Sequence, residues 1–390
     1  MRKSDTVSYT KGDTAIAIFN EFPGNMSPFA TDGQLWRSRR RIVAPIFAVK
    51  RFDAQVSSAM YDIMTIAKDM LLVAADQKLS FDWNNFSGRL ALAVLYRMSF
   101  GMDPGTITSD PECLDKHDRL VRAMNTCNTI SSGRLYNPAW KITDWFTGTR
   151  KRFINARTEL WEIADSVIHE RRTNYLDSKS SGGDFLASLL DSGLSDTDIR
   201  DAIVTLFFAG HDNFLNVLGW SLHELSRAPE WLNRMRKEAQ STNSQGSVIG
   251  YADISKLPVH LAVFYETLRL WPGVPKNARY ASEDDTLPAI PELSLNEVKV
   301  HRGEYLLWSD RCMMRSELVW GPSSGTFNPG RHLNDDGSFV KPSSPKFHSF
   351  GMGPRLCPGA QLGTYEFVAV WSTLLPYLDI WALRNHTYSS

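Results

Sequence analysis

Cysteine is scarce in this chain, with four in 390 residues. Cys113, Cys127, Cys312 and Cys357 stand apart, with no CxxC pair and no regular spacing. That pattern excludes a disulfide framework and a zinc knuckle, and it fits reduced thiols in a cytosol-facing protein. Net charge is absent as well: 43 Lys and Arg balance 43 Asp and Glu, so no overall basic field of the kind that nucleic acid selects is present. No apolar run reaches the roughly 18 residues needed to span a bilayer. The opening segment MRKSDTVSYTKGDT is polar, so no membrane anchor is expected in the chain as written. There is no internal repeat, and only SKSSGG at 178–183 approaches low complexity.

What is present is core-forming material. Hydrophobic residues make up 43% and charged residues 22%, enough for one or two globular domains. From about residue 50 to 230 apolar residues recur at three- and four-residue spacing, as in RTELWEIADSVIHERR, which predicts mainly α structure. SKSSGG and STNSQGS (241–247) read as exposed loops within it. After Pro272 the texture changes. Segments such as LSLNEVKVHRGEYLLW predict a few short strands, and helix is expected again only after Gly359.

Three segments carry chemistry. Residues 347–359, FHSFGMGPRLCPG, place Cys357 in a turn-rich loop just before a predicted helix, AQLGTYEFVAVWSTLL. Gly351, Gly353 and Gly359 allow a flat group to lie against the main chain. Arg355 and the following helix N-terminus would both stabilise a thiolate. In DISKLPVHLAVFYETLRLWP, Glu266 and Arg269 share one helical face among apolar neighbours, so as buried charges they require a third partner. The long segment from Ser195 to Pro229 opens with a capping box, Ser195 to Asp198, and predicts a helix of about 45 Å. Its centre reads AGHDN after an apolar run. Gly210 in mid-helix costs about 1 kcal/mol relative to Ala, which suggests that something flat packs against it.

FGMGPRLCPG resembles the haem-binding signature of the cytochrome P-450 family, with Phe350, Gly353, Arg355, Cys357 and Gly359 in every defining position. The resemblance implies that Cys357 is the axial ligand of a haem b iron, that Arg355 binds a propionate and that Phe350 packs near the sulfur. FNPGR resembles the family loop that supplies Arg331 to complete a Glu266, Arg269 and Arg331 network, with Gly330 standing where the family more often has Glu. Trp36 and Arg40 resemble its WxxxR element and Arg279 its propionate-reaching position. Gly210 matches the glycine that approaches haem. By the same resemblance Asp212 is the catalytic acid and Asn213 stands where a Thr is usual, with Phe214 following. Phe207, Phe208, Val274 and Pro275 are candidates for the substrate pocket. Arg37, Arg39 and Arg41 read as a solvated face or as a dock for an acidic electron donor.

The fold so implied is mainly α with a small β portion, a single catalytic domain over 1–390. Part of the N-terminal and C-terminal β elements is expected to be missing, because WxxxR begins only at Trp36 and 33 residues follow Cys357. The implied activity is monooxygenation of a lipophilic molecule, fatty-acid or alkane-like or a fungal secondary metabolite. Electrons would come from NADPH through a cytochrome P-450 reductase, with cytochrome b5 as a further candidate donor. The family locates at the cytosolic face of the endoplasmic reticulum, and a monomer is expected. Two alternatives stay open: a haem-thiolate isomerase or dehydratase acting on a peroxide, and a non-catalytic haem-binding remnant.

Overall fold

The computed structural model describes residues 8–47, 55–173, 184–242, 248–291 and 294–380. Its elements in chain order begin with β1 (Tyr9–Thr10), α1 (Asp13–Glu21), α2 (Gly33–Val43), α3 (Ser57–Asp76), α4 (Trp83–Phe100), α5 (Arg119–Leu135) and α6 (Trp140–Phe146). They continue with α7 (Thr149–Thr173), α8 (Phe185–Leu190), α9 (Asp196–Leu225), α10 (Pro229–Thr242) and α11 (Pro258–Leu270). Four strands follow, β2 (Asn277–Ala281), β3 (Asp285–Leu287), β4 (Val298–Val300) and β5 (Tyr305–Trp308), and then α12 (Asp310–Met313), α13 (Glu317–Trp320) and α14 (Ala360–Leu374). The mainly α expectation holds. Helix nevertheless returns before Gly359, in the one-turn helices α12 and α13, which the Pro- and Gly-rich texture concealed. SKSSGG lies outside the described residues, as does STNSQGS except for Ser241 and Thr242, which end α10.

Local chemistry sets the helix ends. Ser195 accepts from the backbone N–H of Asp198 and donates to that carboxylate at 2.8 Å, which starts α9 as the capping box predicts. The helix stops at Leu225, four residues short of Pro229. Asp82 caps α4 by accepting from Asn84 N–H at 2.8 Å, and Gly101 ends it at φ 64°, a left-handed value that suits glycine.

α4 and α9 form the spine of the molecule and approach closely at two glycines. A Cβ on Gly88 would stand 2.9 Å from His211 Nε2, and one on Gly210 would stand 2.5 Å from Leu95 Cδ1. Behind them Trp371 of α14 is fully buried, stacks on Trp83 at 5.6 Å and donates to Ser221 at 3.1 Å, tying α14 to both spine helices. The sheets are small: β1, β2 and β5 pair antiparallel, with Thr10 opposite Tyr280 and Arg279 opposite Leu306, and β3 pairs with β4. No helix among the described residues is long and apolar enough to cross a membrane.

Candidate functional site

The base of the site is an ion cluster on α11. Glu266 and Arg269 are both fully buried and meet through two N–H···O bonds of 2.8 Å. Arg331 reaches Glu266 Oε1 at 3.3 Å, so the three expected members are together. A fourth, which sequence reasoning missed, is His332, with Nε2 3.2 Å from Glu266 Oε2. Burial alone would raise the Glu266 carboxyl, but Arg269, His332 and the Asn328 N–H hold it down at about 2. Arg269 also donates to the carbonyls of Met314, Ser324 and Thr326 at 2.7, 2.6 and 3.1 Å. The chain from 314 to 326, α13 included, is thus fixed to α11 by one side chain.

The thiol loop rests on this base. Ser349 donates to the Leu268 carbonyl at 2.8 Å, and the Phe350 ring packs 6.2 Å from that of Phe264. Gly351 and Gly353 take φ of 71° and 64°, and the loop closes with Cys357 N–H on the Phe350 carbonyl at 2.8 Å. Cys357 is exposed, yet protein crowds it enough that burial is the largest influence and pushes its thiol above the ordinary value. The Gly359 N–H and Arg40 oppose the rise, while Arg355, the expected cation, points elsewhere. Arg355 lies 2.6 Å from Asp32, donates to the Thr31 carbonyl at 3.1 Å and covers Trp36 at 4.2 Å. Arg40 takes its place by the sulfur, donating to the Leu356 carbonyl at 2.5 Å with its carbon 5.8 Å from the Trp36 ring.

Cations gather on one side of this loop. The field of Arg279 and Arg355, after burial, pulls the Lys11 ammonium down to about 7, with Asp32 opposing. Burial likewise lowers Arg279, and it lowers Arg355 to about 10. Lys11, Arg279 and Arg355 thus share Asp32, with Asp310 also acting on Arg279, and the cations outnumber the carboxylates. Lys11 and Asp32 carry no motif, so neither was identified from the sequence.

The other wall is the centre of α9. Every residue from Asp201 to Phe207 is buried, whereas Phe208, Ala209, Gly210 and Asp212 are partly open and Asn213 is exposed. Asn213 Nδ2 donates back to the Ala209 carbonyl at 2.9 Å, and its oxygen crowds the space a Cβ on Gly273 would take. That contact brings the segment carrying Val274 and Pro275, both exposed, beside the open face. A Cβ on Gly210 would collide with Leu95 of α4, so close helix packing already calls for glycine there, while the residue stays partly open on the α9 face. One expectation needs correction. Phe207 is a core residue, stacked on Tyr96 at 5.5 Å and edge-on to Phe100 at 5.9 Å. Phe208, about 100° around the helix, meets Phe19, Phe22 and Phe29 at 5.4–6.2 Å and is the apolar wall.

A haem fits both needs, since it carries two carboxylates and an iron that takes a soft thiolate. The fold and this site define a thiolate-ligated haem protein. The comparisons with known proteins agree: the model of the family described as Cytochrome P450 matches residues 3–381, and the chain belongs to that family. It is 28% identical to cytochrome P450 monooxygenase cyp1 of Mycosarcoma maydis over 96% of this chain and 59% of that protein. It is 26% identical to cytochrome P450 CYP94D108 of Paris polyphylla, over 97% and 76%, and 25% identical to cytochrome P450 704B1 of Arabidopsis thaliana, over 98% and 80%. The chain thus spans about three fifths of the length of the fungal relative and about three quarters or more of the plant ones.

Proposed function

We propose that this chain is a haem-dependent monooxygenase that hydroxylates or otherwise oxidises a lipophilic small molecule, with dioxygen and with electrons from NADPH passed on by a reductase. The observation that carries the reading is the exposed Cys357 thiol, in the field of Arg40 and beside the Gly359 N–H, near a group in which cations outnumber carboxylates. Haem supplies the oxygen-activating chemistry when bound. Cys357 would ligate its iron, and Lys11, Arg40, Arg279 and Arg355 would meet its carboxylates, with Trp36 beneath the guanidinium of Arg355. Phe350 and the carbonyl it offers to Cys357 hold the loop's shape. Asp212 and Asn213 would hold and relay protons on the open face of α9. The aromatic wall of Phe19, Phe22, Phe29 and Phe208 excludes water and suits an apolar chain or ring.

The substrate is proposed to be fatty-acid or alkane-like, or a fungal secondary metabolite of similar apolarity. A cytochrome P-450 reductase, with cytochrome b5 as a second donor, would serve a monomer at the cytosolic face of the endoplasmic reticulum. The test is product formation from a panel of fatty acids, alkanes and apolar terpenoids with reductase and NADPH. Strict NADPH dependence is expected. Turnover of hydroperoxides without reductase, and none with it, would overturn the reading.

That second outcome defines the alternative, an isomerase or dehydratase acting on a peroxide. Asn213 favours it, because an amide with one N–H engaged by Ala209 stands where a hydroxyl could both accept a proton and pass it on.

A further inference from the structure

His211 lies between Gly210 and Asp212 on α9, fully enclosed against α4. Its Nδ1 is 2.7 Å from Asp212 Oδ1. Its Nε2 has no hydrogen-bond partner among the described residues and faces the main chain at Gly88, where any side chain would collide with it. An ionised carboxylate only accepts, and Nε2 meets no acceptor, so the tautomer that satisfies this geometry carries its proton on Nδ1 and donates it to Asp212. One oxygen of Asp212 is thereby engaged. The side chain is still 38% exposed, which leaves its second oxygen to the solvent on the open face of α9.

We propose that His211 is a positioning residue, holding the Asp212 carboxylate in one orientation at the open face of α9 from a socket that Gly88 creates in α4. The proposal rests on the monooxygenase reading and adds to it. Asn213 gives this chain no hydroxyl beside Asp212, and one of its two Nδ2 hydrogens is engaged by Ala209. Placement of the remaining acid therefore decides how protons enter that space, and a carboxylate free to rotate would supply them at variable distance. His211 neither gains nor loses a proton in this role. Its Nδ1–H acts as a strut.

The test uses the haem-loaded full chain with His211→Phe, which fills the socket without a donor, and His211→Asn, whose amide can donate from the Nδ1 position. Each is also made in an Asp212→Asn background. All are read by the C–O stretching frequency of the reduced carbon-monoxide complex and by hydrogen peroxide released per NADPH consumed. His211→Phe is expected to broaden and shift the C–O band and to raise peroxide release roughly fivefold, and His211→Asn to return it to within about twofold of the unaltered protein. In the Asp212→Asn background, His211→Phe should add nothing, because a residue that acts through Asp212 has no effect without it. An unmoved band with unchanged peroxide release overturns the proposal, and so does an equal effect in both backgrounds. If the unaltered, folded protein shows no thiolate-haem spectrum, the monooxygenase reading fails and this proposal with it. An intact spectrum with additive effects sinks the proposal alone.

Discussion

Arg269 meets Glu266 through two bonds of 2.8 Å inside α11, and its remaining N–H groups reach three carbonyls of the chain between 314 and 326. The pair therefore joins α11 to the turns on either side of α13. Replacing Arg269 by Lys keeps the charge and loses the fork. Arg269→Lys or Glu266→Gln should cost about 3–5 kcal/mol, the usual penalty for breaking a buried pair. Urea unfolding midpoints measure that loss, and a shift of under about 1 kcal/mol would mean that the cluster is not structural.

The same carboxylate predicts an acid limb. Glu266 titrates at about 2 in the fold, below its ordinary 4.5. A depressed pKa contributes stability that is present above 4.5 and lost as pH falls from 4.5 through 2. In unfolding curves taken across that window, Glu266→Gln should show a shallower loss than the unaltered chain. Parallel curves would contradict it.

Glu366 of α14 behaves in the opposite sense. It is buried, and burial pushes its carboxyl up to about 8 from an ordinary 4.5. A raised pKa contributes stability that is full below 4.5 and lost as pH rises through 8. Glu366→Gln should therefore be nearly neutral at pH 4 and stabilising by on the order of 2–4 kcal/mol at pH 8. Thermal unfolding at both values reads the difference, and equal shifts at the two would refute the burial argument.

Local motifs were legible because their partners are close in sequence. Glu266 and Arg269 lie three apart on one helix, and the Cys357 loop and its following helix form one continuous segment. Of the site contacts that cross the chain, Arg331 with Glu266 was marked by the FNPGR motif and not by spacing, and contacts without a motif left no trace. His332 meets Glu266 from 66 residues away, and Arg355 finds Asp32 across 323. The centre of α9 shows a different limit. Gly210 declared that a neighbour comes close, but not that it would be Leu95, and the adjacent Phe207 and Phe208 look alike until α4 takes one face. Apolar residues on every side of a buried helix give periodicity nothing to distinguish.

Gly210→Ala tests that spine contact. The added methyl would meet Leu95 Cδ1 at 2.5 Å and Cδ2 at 2.9 Å, which forces the leucine to shift. Overpacking of this kind costs about 1–3 kcal/mol, offset by roughly 1 kcal/mol of helix propensity. Adding Leu95→Ala should be less harmful in the Gly210→Ala background than in the unaltered one. A double-mutant cycle on unfolding free energies gives the coupling, and strict additivity would show that Leu95 is not what Gly210 accommodates.

The central claim is that Cys357 ligates haem iron, and the reduced, carbon-monoxide-bound difference spectrum tests it most directly. The unaltered chain should give the red-shifted Soret band of thiolate ligation, and Cys357→Ala should lose it while remaining folded by circular dichroism. A red-shifted band that survives in Cys357→Ala, or its absence from folded, haem-supplied unaltered protein, would contradict the account.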